Sequence, residues 1–178
     1  MNLEGGGVNN AMKTSRILLL FIIIQLPLFI PVCFAEGAAT DAVSDNTRCT
    51  VCGMFVAKYP NWLTRIHYDG LEQTKYFDGV KDMMVFYFNP EKYGAASRES
   101  IRAIFVRDYY SLNWLSAQEA FYVVGSDVYG PMGHELIPFA TREAAESFSK
   151  DHHGKNILAF DEITPELIES LRLGQRMR

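Results

Sequence analysis

A strand–turn–strand run followed by a helix is spelled twice in this chain, and that repetition limits the folds open to it. Trp62 to His67, the turn Tyr68-Asp69-Gly70 and Leu71 to Phe77 read as a hairpin. Asp-Gly between two strand-like runs is a strong turn signal. A helix is expected from Gly79 to Phe88, capped by Asp78 and stopped by Asn89-Pro90. Val80, Met83, Met84 and Tyr87 fall on one face of it. The second copy covers 121–153. Its strands are Phe121 to Val124 and His134 to Phe139, separated by a Gly- and Pro-rich loop from Gly125 to Gly133. Its helix is capped by Thr141, with Glu143 in the first turn and Gly154 past the end. A Phe (Phe77, Phe139) sits just before each cap. Further strands are expected at Ile101–Val106 and Asn156–Phe160, with residues 91–99 as a loop. Asp108 to Leu112 is a connection without a clear type. Thr164-Pro165-Glu166 opens a closing helix, with Pro at the first helical position. Strands and helices mix without regular βαβ alternation, so the fold class is α+β, two hairpin-plus-helix halves packed as one domain.

The first 35 residues read as a signal peptide. Lys13 and Arg16 precede an apolar run from Ile17 to Ile30, broken by Gln25 and Pro27, and Cys33-Phe34-Ala35 supplies a small-x-small cleavage site. Cleavage after Ala35 leaves about 143 residues, one domain's worth. Lipidation at Cys33 is the rival, disfavoured because Ile30-Pro31-Val32 lacks the small residues such a site uses. Export to the periplasm follows, with membrane anchoring disfavoured. Residues 36–47 are polar and read as a flexible tether, leaving 48–178 as the folded domain. The chain carries 17 Lys and Arg against 21 Asp and Glu with no basic stripe, which argues against nucleic acid as a partner. Only Cys49 and Cys52 remain after cleavage, too few for a disulfide scaffold, so an apolar core must hold the fold.

Those two cysteines lie in Cys49-Thr50-Val51-Cys52-Gly53-Met54, three sulfur side chains within six positions. Thiolate and thioether are soft donors that select copper(I) over harder ions. Three other readings stay open. A thioredoxin-like redox pair would open a helix after a strand, but this pair follows a polar stretch. A structural zinc site would want a second ligand pair, and the chain offers none. A resting disulfide across a short loop is the third. Tyr129-Gly-Pro-Met132-Gly-His134-Glu135 is a second soft-donor candidate, a thioether and an imidazole in a loop. Met132 could equally fill a gap, and Met54 could belong to the core. His67 reads as structural, His152 and His153 as helix-end groups, and Met83 and Met84 as core. No Ser-His-Asp pattern, phosphate loop or paired acid–base carboxylates appear, so the chain is not read as an enzyme.

Cys52-Gly-Met54, Tyr76-Phe-Asp-Gly79, the segment from Gly125 to Phe139 containing Gly-Pro-Met132-Gly, Gly154, and Phe160-Asp-Glu-Ile163 resemble NosL, the accessory proteins of nitrous oxide reductase. The resemblance spans about residues 48–164. It implies a periplasmic copper(I) chaperone for the copper–sulfide centre of that reductase, with the reductase apoprotein or another copper-accepting periplasmic protein as partner. It also implies an α+β fold akin to the organomercurial lyase and treble-clef arrangement. Copper donors carried over fall on Cys52, Met54 and Met132, with Cys49 and His134 added. The alternative of a different class is a thiol–disulfide or organomercurial-lyase-like enzyme using Cys49 and Cys52. Many family members are lipoproteins, and the poor lipidation site here is the departure from that pattern.

Overall fold

The computed structural model describes residues 43–69 and 74–174. The expected signal peptide, most of the expected tether and the Gly70 turn lie outside the described residues. Two antiparallel sheets and three α-helices are present among the described residues. The first sheet holds β1 (Thr64–Tyr68), β2 (Thr74–Phe77), β3 (Ile101–Arg107) and β4 (Trp114–Ser116) in the order β2-β1-β3-β4. The second holds β5 (Phe121–Gly130), β6 (Gly133–Phe139) and β7 (Asn156–Leu158) in the order β6-β5-β7. The helices are α1 (Val80–Phe88), α2 (Arg142–Asp151) and α3 (Pro165–Arg172).

The hairpin-plus-helix repetition is real and goes one strand further than the sequence suggested. In both halves a hairpin leads into a helix, and the next strand returns to pair with the hairpin's first strand. Thus β3 pairs with β1 (Ile66 opposite Ile104), and β7 pairs with β5 (Val123 opposite Ile157). Both central strands are therefore first in their half.

The two halves share one core. Ile66, Phe77 and Ile104 from the first sheet meet Met83, Met84 and Phe86 of α1, Tyr122, Val124 and Leu136 of the second sheet, and Ile168 and Leu171 of α3. Strand alternation explains the sides, since successive residues point to opposite faces. Tyr122 and Val124 face α1, while Val123 turns the other way with Ile137 and Phe139 and packs on Ala145 and Phe148 of α2. The second sheet is thus covered on both faces, and β6 is buried from Glu135 to Phe139. Met83 and Met84 are core, as their helical spacing indicated.

Both later helices start where the caps predicted. Thr141 accepts from Ala144 N–H at 3.2 Å, and Thr164 accepts from Leu167 N–H at 3.3 Å. Thr141→Ala removes a partner from one of the orphan donors of α2 and is expected to cost about 1 kcal/mol, read as a lower urea midpoint with an unchanged slope.

Two segments differ from expectation. The stretch Gly125–Gly133 is not a loop but the outer part of a long hairpin, running to Gly130 and returning at Gly133. Its glycines mark irregular strand, with a register shift between Val124 and Tyr129 and Gly125 at φ +79°. The second is β4, whose three residues are too short to leave a period in the sequence. Within the stretch read as tether, Val43 already packs on the core, and Val56 N–H donates to the Thr47 carbonyl.

Candidate metal centre

The segment carrying the two cysteines folds back on itself. Arg48 bridges Phe55, Cys49 N–H donates to the Met54 carbonyl at 2.7 Å, and Gly53 N–H donates to the Cys49 carbonyl at 2.9 Å. Gly53 sits at φ +78°, a left-handed conformation that a side chain would strain. The loop then docks on the end of β2 through Thr50 N–H to the Tyr76 carbonyl at 3.0 Å. Closing the loop this way turns both thiols toward the start of α1.

Two carboxyl groups meet them there. Cys52 Sγ lies 3.4 Å from both oxygens of Asp78, and Cys49 Sγ lies 3.5 Å from Asp82 Oδ2. Cys52 N–H points at Cys49 Sγ at 3.5 Å. One ligand-capable atom from each of Cys49, Cys52, Asp78 and Asp82 falls within 4.8 Å of all the others. Cys49, Asp78 and Asp82 are buried, while Cys52 is only half-buried and forms the open edge. Both cysteines are free thiols.

Asp78 was expected to cap α1, and it does not. Gly79 occupies the capping position with no side-chain hydrogen bond, and the Asp78 carboxyl turns to Cys52 instead. Asp82 lies one turn on, in the first turn of the helix. The i, i+4 spacing of the two acids places both on one side of the helix start. Neither was singled out as a site residue. The available signal was this spacing, directly after the Tyr76-Phe-Asp-Gly79 segment.

Burial in this setting works against ionisation of the sulfur. The Cys49 thiol is pushed well above its ordinary value by burial, with the neighbouring Asp78 adding to the effect. Cys52 is pushed up to about 11, first by burial, while the Met54 backbone N–H pulls the other way. Burial also raises Asp82 above the usual carboxylate range, against hydrogen bonds from the two thiols. At neutral pH the pair is therefore two thiols whose S–H groups have carboxyl oxygens to donate to. A reactive cysteine needs the opposite shift. The arrangement can take up a soft cation by giving up thiol protons, and it makes a weak nucleophile.

Of the five residues expected as donors, Cys49 and Cys52 come together in this cluster. Met54 is half-buried in the same loop, its carbonyl held by Cys49 N–H. Met132 and His134 sit at the tip of the β5–β6 hairpin, where Gly130 faces Gly133 and Tyr129 faces His134. The Met132 side chain is 46 % exposed. His134 packs its ring on Tyr129, with centroids 4.8 Å apart, and is not part of the four-residue cluster. The hairpin tip is nonetheless tied to the same helix start. Lys81 Nζ donates to the carbonyls of Met132 at 2.6 Å and His134 at 2.8 Å.

Of the other histidines, His67 Nδ1 is 2.8 Å from Thr74 Oγ1 on the adjoining strand, and His152 follows the last turn of α2 with its ring stacked on Phe148 and its Nδ1 3.0 Å from Asp127 Oδ1. Among the described residues no helix is long and apolar enough to cross a membrane.

Nearly all of this framework falls within a match to known proteins. The family model NosL matches residues 40–168. The chain is 28% identical over 168 residues to the copper-binding lipoprotein NosL of Achromobacter cycloclastes, covering 86% of this chain and 84% of that one. It is 28% identical over 137 residues to the copper-binding lipoprotein NosL of Stutzerimonas stutzeri, covering 72% and 67%. The crystal structure of the copper chaperone NosL from Shewanella denitrificans aligns with a TM-score of 0.59 at 25% identity, over 70% of this chain and 95% of that one. With its two antiparallel sheets, its first two helices, the start of α3 and the sulfur-bearing loop inside the matched span, the chain belongs to the NosL family.

Proposed function

We propose that the protein is an exported copper(I) carrier that delivers copper for assembly of the copper–sulfide centre of nitrous oxide reductase. One observation carries the reading: a buried and a half-buried thiol converge on the start of α1 with one edge open. Two thiolates suit copper(I), which tolerates low coordination, whereas the carboxyl groups are hard donors better suited to other ions. Asp78 and Asp82 then act on the sulfurs by hydrogen bonding. Met54, Met132 and His134 are the further donors, supplied from the same loop and from the hairpin tip. An open edge at Cys52 lets an incoming ligand displace one donor at a time, so copper passes by exchange rather than release. The partner is the reductase apoprotein or another copper-accepting periplasmic protein. The names of the relatives support copper as the cargo.

A thiol–disulfide or organomercurial-lyase-like enzyme on the same cysteines is the reading of a different class. It requires a depressed thiol pKa, and the upward push on both cysteines favours the carrier. The likeness of the paired halves to the organomercurial lyase and treble-clef arrangement belongs to this proposal as well. So does the periplasmic location, which rests on the signal-like leader and on relatives named as lipoproteins. The mass of the mature N-terminus separates cleavage after Ala35 from lipidation at Cys33.

The test is an anaerobic competition titration of copper(I) against a strong chromophoric chelator. One tightly held copper per chain is expected, weakened in the Cys52→Ser, Met132→Ala double variant. A double variant that competes as well as the parent protein would overturn the reading.

A further inference from the structure

Lys81 is 3 % exposed, yet neither hydrogen bond of its side chain goes to a carboxyl group. Both go to backbone carbonyls of the β5–β6 hairpin tip, those of Met132 and His134. Burying an amine in this way is costly unless its donors are well satisfied. The hairpin does not need it for closure, because the strands already pair up to Gly130 opposite Gly133. What Lys81 adds is a fixed distance between that tip and α1, the helix whose first turn carries Asp82 and whose start faces both thiols.

A second tie makes the junction stiff. Glu135, the residue after His134, is buried and accepts Lys81 N–H at 2.6 Å and Leu136 N–H at 3.0 Å through the same oxygen. Gly130 leaves room for it, since a Cβ there would come within 3.2 Å of Glu135 carbons. The backbone of Lys81 thus holds Glu135, while its side chain spans the two residues flanking Gly133.

Met132 is the residue this matters for. Its side chain is 46 % exposed, so surrounding packing does little to place it. A thioether on three rotatable bonds is flexible, and its reach is decided by where its backbone is held. That backbone is held at its carbonyl, 2.6 Å from Lys81 Nζ.

We infer that Lys81 is a positioning residue for copper: its clamp on the Met132 and His134 carbonyls holds the Met132 thioether within reach of the cysteine loop. This rests on the carrier reading and on Met132 as a donor within it. Partners that orient metal donors typically change affinity about 10- to 100-fold when removed, and the lower end suits a clamp acting on one donor.

The experiment is a double-mutant cycle on the full-length mature protein, read as copper(I) affinity by chelator competition. Lys81→Leu removes the donors without adding sulfur. Lys81→Gln keeps a shorter donor and serves if Lys81→Leu does not fold. Each is made alone and with Met132→Ala, and the unfolding midpoint is recorded in parallel. The expected result is an affinity loss of about tenfold for the Lys81 variant in the parent background and none in the Met132→Ala background. X-ray absorption at the copper edge should show one sulfur neighbour fewer in the Lys81 variant. Equal losses in both backgrounds, or no loss in the parent background, would overturn the inference, since a general structural role predicts no coupling to Met132. Parent-like affinity of Met132→Ala by itself would remove Met132 from the donor set and overturn the inference with it, while the carrier reading would still stand on the cysteines, Met54 and His134.

Discussion

Between about pH 8 and about pH 6 the copper(I) affinity is expected to fall on the order of ten-thousand-fold, because each of two thiols must lose its proton to bind the ion. The sign follows from the state of the free protein. Cys49 is pushed well above its ordinary value by burial, and Cys52 is pushed up to about 11 by burial. Both stay protonated across this window, so copper must displace two protons. Each proton released costs a factor of about ten in apparent affinity per pH unit lost, which for two protons is about a hundredfold. A site of low-pKa thiolates, as in a redox enzyme, would be flat over the same range. The measurement is chelator competition at several pH values, corrected for the chelator's own protonation. A slope of one proton would mean that one thiol proton stays in the site. Asp82, already raised by burial and 3.5 Å from Cys49, is where it would sit. Asp82→Asn would then restore the slope to two. A slope near zero would remove the protonated-thiol account.

The features legible in the sequence were those with a local cause. Thr141 and Thr164 announced their helices because a hydroxyl satisfying a free N–H is a property of a few adjacent residues. The repeated hairpin and helix was legible for the same reason, through the spacing of Val80, Met83 and Met84 and the Asp69-Gly70 signal. Features set by distant contacts were not. Asp78 has every local mark of a cap, and it is drawn away because Cys52, 26 positions earlier, offers its thiol in a buried pocket. Gly125 to Gly133 reads as a loop because its composition is that of a turn. Only the pairing of Tyr129 with His134 makes it an extended hairpin. The cysteines were legible as a soft-donor pair, but the two acids beside them were not, since their meaning depends on a loop folding over the helix start. Lys81 illustrates the limit: within the helix it is an ordinary good helix former, and the carbonyls its side chain binds lie more than fifty positions away.

Glu135 gives the largest expected effect on the fold. It is fully buried beneath the hairpin tip, and burial pushes its carboxyl up to about 8, against the pull of the Leu136 and Lys81 N–H groups and the charge of Lys81. An acid whose folded value lies above its unfolded value of 4.5 favours the fold while protonated. Its contribution is therefore fully present below about pH 4.5 and is lost as pH rises to about 8. A shift of that size corresponds to about 5 kcal/mol across the window. Glu135→Gln keeps an oxygen able to accept from Lys81 N–H and Leu136 N–H without ever acquiring charge. The difference in unfolding free energy between parent and variant, from urea melts at matched pH, isolates this one group from the other acids. The parent should lose stability relative to the variant as pH rises from about 4.5 to about 8, with the curves running parallel outside that range. Parallel curves throughout would show that Glu135 keeps an ordinary carboxylate pKa, and that the junction under the β5–β6 hairpin tip holds a charge without penalty. Because the hairpin tip is tied to α1 through this residue and Lys81, a real slope also means the tip is held most firmly in mildly acidic solution. The expected copper affinity is lowest there, so on the carrier reading the scaffold of the site and the thiols within it respond to protons in opposite directions.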